Sequence, residues 1–117
     1  MHNQSLAKSG ELKAVEYLKK KGFKILEKNF RCVFGEIDII AQDKKTICFV
    51  EVKSRSSDQF GQPVEAIGKI KRRHIVNCAN VYLKKYNLMD RSARFDVVSI
   101  LNDEIKLIKN AFTLNDL

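Results

Sequence analysis

The chain has 117 residues, enough for one domain with a sizeable core, and its 44% hydrophobic and 31% charged content is that of a globular protein rather than a disordered one. Lys plus Arg exceed Asp plus Glu by 22 to 14, a formal net charge of +8, which suits a polyanionic partner, with DNA or RNA ahead of anionic lipid. No run approaches the ~18 consecutive apolar residues of a membrane span and the N-terminus lacks a signal-peptide core, so no membrane association and a cytoplasmic location are expected.

The three cysteines, Cys32, Cys48 and Cys78, form no C-x-x-C pair and are odd in number, which argues against a disulfide framework and against a zinc site. Cys48 and Cys78 sit in apolar patterns and are expected to be buried, inert thiols.

In chain order, Ser5 to Lys21 places Leu6, Ala7, Ala14, Val15, Tyr17 and Leu18 at roughly helical spacing, with Gly22 as the stop. Phe23 to Phe30 reads as a strand, and Arg31 to Phe34 connects it to the next. Ile37 to Ala41 and Ile47 to Lys53 are two further strands, joined by the polar turn Gln42 to Thr46 and expected to pair as a hairpin. Ser54 to Pro63 (SRSSDQFGQP) is a loop, with Pro63 suited to a first helical position. Val64, Ile67, Ile75, Ala79, Tyr82, Leu83 and Tyr86 then trace a helical stripe whose first turns are weakened by Gly68. Phe95 to Leu101 and Glu104 to Lys109 are the last strands, with Asn102-Asp103 as their turn. The order helix, three strands, helix, two strands (αβββαββ) points to a single α/β domain, a mixed sheet flanked by helices.

Chemistry concentrates in the central hairpin. Alternation puts Asp38 and Ile40 on one side of its first strand and Phe49, Glu51 and Lys53 on one side of its second, so three charges converge. The opposite face, Ile37, Ile39 and Ala41 with Cys48, Val50 and Val52, is wholly apolar. An acid-x-Lys triplet occurs four times, at Glu11-Leu12-Lys13, Asp43-Lys44-Lys45, Glu51-Val52-Lys53 and Glu104-Ile105-Lys106. Only the third ends an apolar strand and follows a second carboxylate on the paired strand. Carboxylates among Ile, Phe and Val are costly unless paired or bound to metal. Asp38, Glu51 and the Val52 carbonyl suit Mg²⁺ or Mn²⁺, and Lys53 beside them could orient a water. A structural salt-bridge cluster explains the same three residues about as well. Glu36, on the Asp38 side, reads as a rim residue.

Gly35-Glu36-Ile37-Asp38, then Phe49-Val50-Glu51-Val52-Lys53 with Arg55, resembles the signature of the YraN-like family, a group with the restriction-endonuclease-like PD-(D/E)xK nuclease fold. Gly10-Glu11 with Ala14, Tyr17-Leu18, Gly22-Phe23, Asn29 with Arg31, Phe60-Gly61, Glu65-Ala66 with Lys69, and Arg94 to Val98 fall in the same order, so the resemblance spans nearly the whole chain. Ile37 stands where the motif's name has Pro. The resemblance implies that Asp38 and Glu51 bind the metal, that Lys53 is the catalytic lysine, and that Glu11 is a further acid supplied by the first helix. Without it, Glu11 reads as an acid interacting with that helix's N-terminal dipole.

Lys69, Lys71, Arg72 and Arg73, followed by His74, begin the second helix, and with Arg31 and Arg55 they are candidates for gripping phosphates. A solvated helix face is the plainer explanation for any one of them. Phe60 and Tyr82 read as packing residues. The expectation from residues and resemblance together is a metal-dependent endonuclease acting on DNA, with branched or structured DNA as a substrate class and a homodimer to cut two strands. The alternative is a nucleic-acid-binding or assembly module that keeps the fold without cleaving.

Overall fold

The computed structural model describes the backbone of residues 2–55 and 67–113 and the side chains of residues 9–55 and 67–113. Its elements run α1 (His2–Lys20), β1 (Lys24–Cys32), β2 (Gly35–Asp43), β3 (Thr46–Arg55), α2 (Lys69–Lys85), β4 (Ala93–Leu101) and β5 (Glu104–Phe112), the order read from the sequence. The five strands form one mixed sheet in the spatial order β1-β2-β3-β4-β5. All neighbours are antiparallel except β3 and β4, which lie parallel because the chain between them crosses the sheet through α2.

Each helix covers one face. From α1, Ala14, Val15 and Leu18 pack on Ile39, Ala41, Cys48, Val50, Val98 and Ile100. From α2, the i, i+4, i+7, i+8 stripe of Ile75, Ala79, Tyr82 and Leu83, with Val76 and Cys78, packs on Phe30, Ile37, Ile40, Ile47, Phe49, Val97 and Phe112. Tyr82 is a packing residue, its ring edge-on to Phe30 and Phe49 at centroid distances of 5.2 and 6.0 Å. The Asn102-Asp103 turn has both residues at positive φ, 50° and 70°, as a two-residue hairpin loop with the sheet's twist requires.

Several expectations are corrected. Ser54 and Arg55 belong to β3, not to a loop, because they continue the parallel ladder to Ile100 and Leu101 of β4. The second helix begins at Lys69 behind the extended N-cap Gly68; Phe60, Pro63 and Val64 lie outside the described residues. The last strand continues past Lys109 to Phe112, whose ring stacks on Phe95 at 5.0 Å. Ile37 does not share the α1 face with Ile39 and Ala41 but joins Phe30 on the α2 side, so strict alternation fails between Ile37 and Ile39, at Asp38. Cys78 is not a free thiol: it forms a disulfide with Cys32, with the two Cα atoms 6.1 Å apart, tying α2 to the end of β1. Cys48 alone among the three fits the expectation of a buried, inert thiol, and burial pushes it up to about 12.

On β4, in register with Val50, Asp96 is fully buried and accepts hydrogen bonds from Arg94 Nε at 3.0 Å and from the Asn110 N–H at 3.0 Å. Arg94 also donates to Asp43 at 2.9 Å. Removing the guanidinium strands a buried carboxylate on one backbone donor, so we expect Arg94→Met to cost ~3 kcal/mol, read as a lower urea midpoint at unchanged slope.

Candidate functional site

The β2–β3 ladder runs from the Lys44-Lys45 turn only as far as the pair Ile39 and Val50. Beyond it the strands part, and the side chain of Asp38 takes the place of the backbone: its Oδ2 accepts the Val52 N–H at 2.8 Å. The opening lies between Asp38 of β2 and Glu51 of β3, whose carboxyls are neighbours, so that the Glu51 charge disfavours ionisation of Asp38. Alternation pointed to this meeting, but the splay of two strands produces it.

Glu51 is only 6% exposed. Its Oε2 has Lys71 Nζ at 3.6 Å and Lys53 Nζ at 3.9 Å, while its buried Oε1 has no hydrogen-bond partner. A buried carboxylate oxygen without a donor is unusual in a native fold, since its hydration is lost without replacement. Burial first, and then the neighbouring Glu51 charge, raise the Asp38 carboxyl to about 7, against the opposing Val52 N–H and Lys71.

Two further acids border this pair. Glu11, on α1, lies nine residues past the first described residue of that helix, too far in for an interaction with its N-terminal dipole. Glu36, at the start of β2, lies with them: ligand atoms of Glu11, Glu36 and Asp38 are all within 4.8 Å of one another. Asn29 of β1 joins two of them, donating to Glu11 and, at 2.9 Å, to Glu36. Close docking of α1 on β3 brings Glu11 here. A β-carbon at Gly10 would fall on Ser54 Oγ unless that hydroxyl turned away. Gly35, at φ 143°, lets the chain turn into β2 against His74 of α2, a conformation that favours glycine.

The predicted set therefore divides. Glu11, Asp38, Glu51, Val52 and Lys53 come together. Of the six cations proposed for phosphate contact, Lys71 lies on Glu51, and Arg31, whose Nε is 3.4 Å from Glu36 Oε2, lies beside the same cluster. Lys69 and Arg73 are exposed one turn apart near the start of α2. Arg55 ends β3 opposite Leu101. Arg72 points elsewhere: its Nε donates to the Ile67 carbonyl at 2.8 Å and its guanidinium lies over the Phe112 ring. Sequence reasoning missed Asn29 and the Lys71–Glu51 contact. An asparagine before Arg31 within a strand pattern was the available sign of the first. A separate cleft of about 420 Å³ between α2 and the β4–β5 strands is lined by Phe49, Leu83, Phe95 and Phe112. Its charged wall residue, Arg94, is already held by Asp43 and Asp96.

Residues 10–100 match the profile of the uncharacterised protein family UPF0102. A UPF0102 protein of Persephonella marina is 52% identical over 108 residues, covering 92% of this chain and 93% of that one. Those of Geobacter metallireducens and Caldicellulosiruptor saccharolyticus are 49% and 48% identical over 118 residues, covering 97% and 96% of this chain and 97% and 100% of theirs.

A carboxyl raised to about 7 binds a proton more tightly in the fold than in the unfolded chain, so the metal-free fold loses stability as pH rises from about 4 through about 7. Asp38→Asn keeps an oxygen for the Val52 N–H and removes the charge. We expect it to melt ~5 °C above wild type in EDTA at pH 8, the gap narrowing as pH falls through about 7 and closing only near pH 4. A lower melting point at pH 8 would mean that the ionised carboxylate is favoured instead.

Proposed function

The chain belongs to the uncharacterised protein family UPF0102, and within that family we propose that it is a metal-dependent nuclease hydrolysing DNA phosphodiester bonds, with Glu11, Asp38, Glu51 and Lys53 as the working residues. The observation that carries this reading is Glu51, almost wholly buried with Oε1 unpartnered, its carboxyl against that of Asp38 and its charge faced by Lys53 on the same strand. The similarity of Gly35 to Lys53 to the PD-(D/E)xK signature adds the reaction class and the restriction-endonuclease-like core.

The donor set is all oxygen and strongly acidic, which fits a hard divalent ion such as Mg²⁺ or Mn²⁺. Asp38, Glu51 and the Val52 carbonyl would hold it, with Glu11 alongside. Such an ion, when bound, polarises a phosphoryl oxygen and acidifies a water. The protein's own part is positional. The Val52 N–H fixes the Asp38 carboxylate, and Lys53 offers an ammonium to orient a nucleophile and offset charge growing on phosphorus. Lys69 and Arg73, exposed near the start of α2, would contact phosphates flanking the cut. Branched or structured DNA is the substrate class to try first, with a homodimer supplying two sites and the cytoplasm as the setting.

One observation favours a second reading. Lys53 and Lys71 both lie on Glu51 Oε2, as they would in a structural ion network of a nucleic-acid-binding module that does not cleave.

Cleavage of labelled single-stranded, duplex, flap and four-way-junction DNA in Mg²⁺ and Mn²⁺ separates the two. We expect wild type to cut, and Glu51→Gln and Lys53→Ala each to lose at least ~100-fold in rate with DNA binding retained. Binding without cutting on every substrate, or cutting that survives both substitutions, supports the module.

A further inference from the structure

Asn29 occupies a backbone conformation that most residues avoid. Its φ is 53°, in the left-handed region, inside an otherwise extended strand. Among residues with a β-carbon, Asn is one of the few that adopt this region readily. The β1–β2 register runs unbroken on either side of it, from Lys28–Ile39 to Phe30–Ile37, so Asn29 stands across from Asp38. The consequence is a side chain delivered into the carboxylate cluster. Asn29 Nδ2 lies 3.1 and 3.2 Å from the two Glu11 carboxylate oxygens and 2.9 Å from Glu36 Oε1. One amide group thus binds an acid from a helix and an acid from a strand, and its two N–H bonds are matched by two carboxylates.

An assembly of acids is not by itself a binding site. What gives this one a direction is the neighbouring Glu51, nine-tenths buried and touching Asp38, whose Oε1 lacks any hydrogen-bond donor. A cation held beside Asp38 would supply what that oxygen lacks.

We propose that Asn29 is a positioning residue for a divalent-cation site in which Glu36 is a ligand beside Glu11 and Asp38: its amide holds Glu11 and Glu36 at ligand spacing before the ion arrives. The inference rests on the metal-binding reading above and adds to it Glu36 as a ligand and Asn29 as the residue that orders the set. Glu11 and Glu36 belong to separate elements, α1 and β2, and repel each other. With the amide between them, each presents its oxygens to the cluster at no further ordering cost.

The test is Mn²⁺ binding to the full chain, by titration calorimetry and by the loss of the free-ion paramagnetic resonance signal, with DNA absent. Asn29→Gly accepts φ 53° without strain and deletes only the amide, so the fold is retained. We expect its Mn²⁺ affinity to fall about tenfold, the scale of losing a group that orients metal ligands. Glu36→Gln should fall by a similar factor, and the double variant by less than the product of the two losses, because the residues act as a unit. Wild-type affinity in either single variant overturns the proposal. Should Asn29→Gly fail to fold, Glu36→Gln, which leaves the β1 backbone untouched, decides alone. Mn²⁺ binding that is absent from wild type, or that Glu51→Gln leaves unaltered, would sink the metal-binding reading and this inference with it. Binding in wild type that Glu51→Gln weakens but Asn29→Gly does not would sink this inference alone.

Discussion

Two carboxyl groups, those of Asp38 and Glu51, face each other at the end of an apolar sheet, and the surrounding residues are arranged around the cost of that contact. Like charges about 4 Å apart repel by ~4 kcal/mol even at an effective dielectric of about 20. A single hydrogen bond returns roughly 1 kcal/mol net. The Val52 N–H on Asp38 therefore cannot hold both groups ionised, and the fold relies on larger remedies. Lysines 53 and 71 bring positive charge to Glu51 from β3 and from α2, and a proton is retained on Asp38 to a pH well above the carboxylate range. These remedies still leave Glu51 Oε1 without a partner. On the metal-binding reading, a divalent cation would answer the repulsion and the orphaned oxygen together.

The architecture makes the contact accessible. Had the β2–β3 ladder continued past Ile39 and Val50, backbone pairs would have closed the region where the carboxyls now meet. The strands part there because Asp38 takes the Val52 N–H into its own side chain. Helices from both faces of the sheet then reach the opening. Contact of Gly10 with Ser54 seats α1 so that Glu11 enters from one side. Lys71 enters from the first turn of α2 on the other, and the Cys32–Cys78 disulfide ties that helix to the end of β1.

How far this was legible in the sequence follows from which features are local. The helical stripe of α2 and the Asn102-Asp103 turn arise from spacing and turn chemistry, and both appear as read. Period-2 alternation identified Asp38, Glu51 and Lys53, but it assumes an undistorted strand. It put Ile37 on the wrong face because the irregularity lies at the functional residue itself. Asn29 was invisible as a site residue: a positive φ inside a strand is imposed by tertiary contacts and leaves no periodic trace. The disulfide was missed because an odd cysteine count argues against complete pairing and says nothing about one pair plus one thiol. Lys71 looked like its neighbours in a basic run, and only the crossing of α2 over β3 distinguishes it from Arg72, one residue later, which turns to Phe112.

Charge accounting within the cluster links the proposed metal to the proposed substrate. Among the described residues, four acids, Glu11, Glu36, Asp38 and Glu51, are faced by three cations, Arg31, Lys53 and Lys71. One positive charge is wanting, and the proton on Asp38 supplies it in the absence of metal. The proposed divalent ion would supply two, so it would displace that proton and leave one positive charge in excess. Arg31, 79% exposed, and Lys71, about half exposed, are the outermost of the three cations and the least costly to detach from their carboxylates. The excess therefore falls on side chains at the rim, where a phosphodiester is the complementary group. In that accounting the carboxylates and the basic residues form one system: the acids hold the cations in place, and the proposed metal would free them for the proposed polyanion.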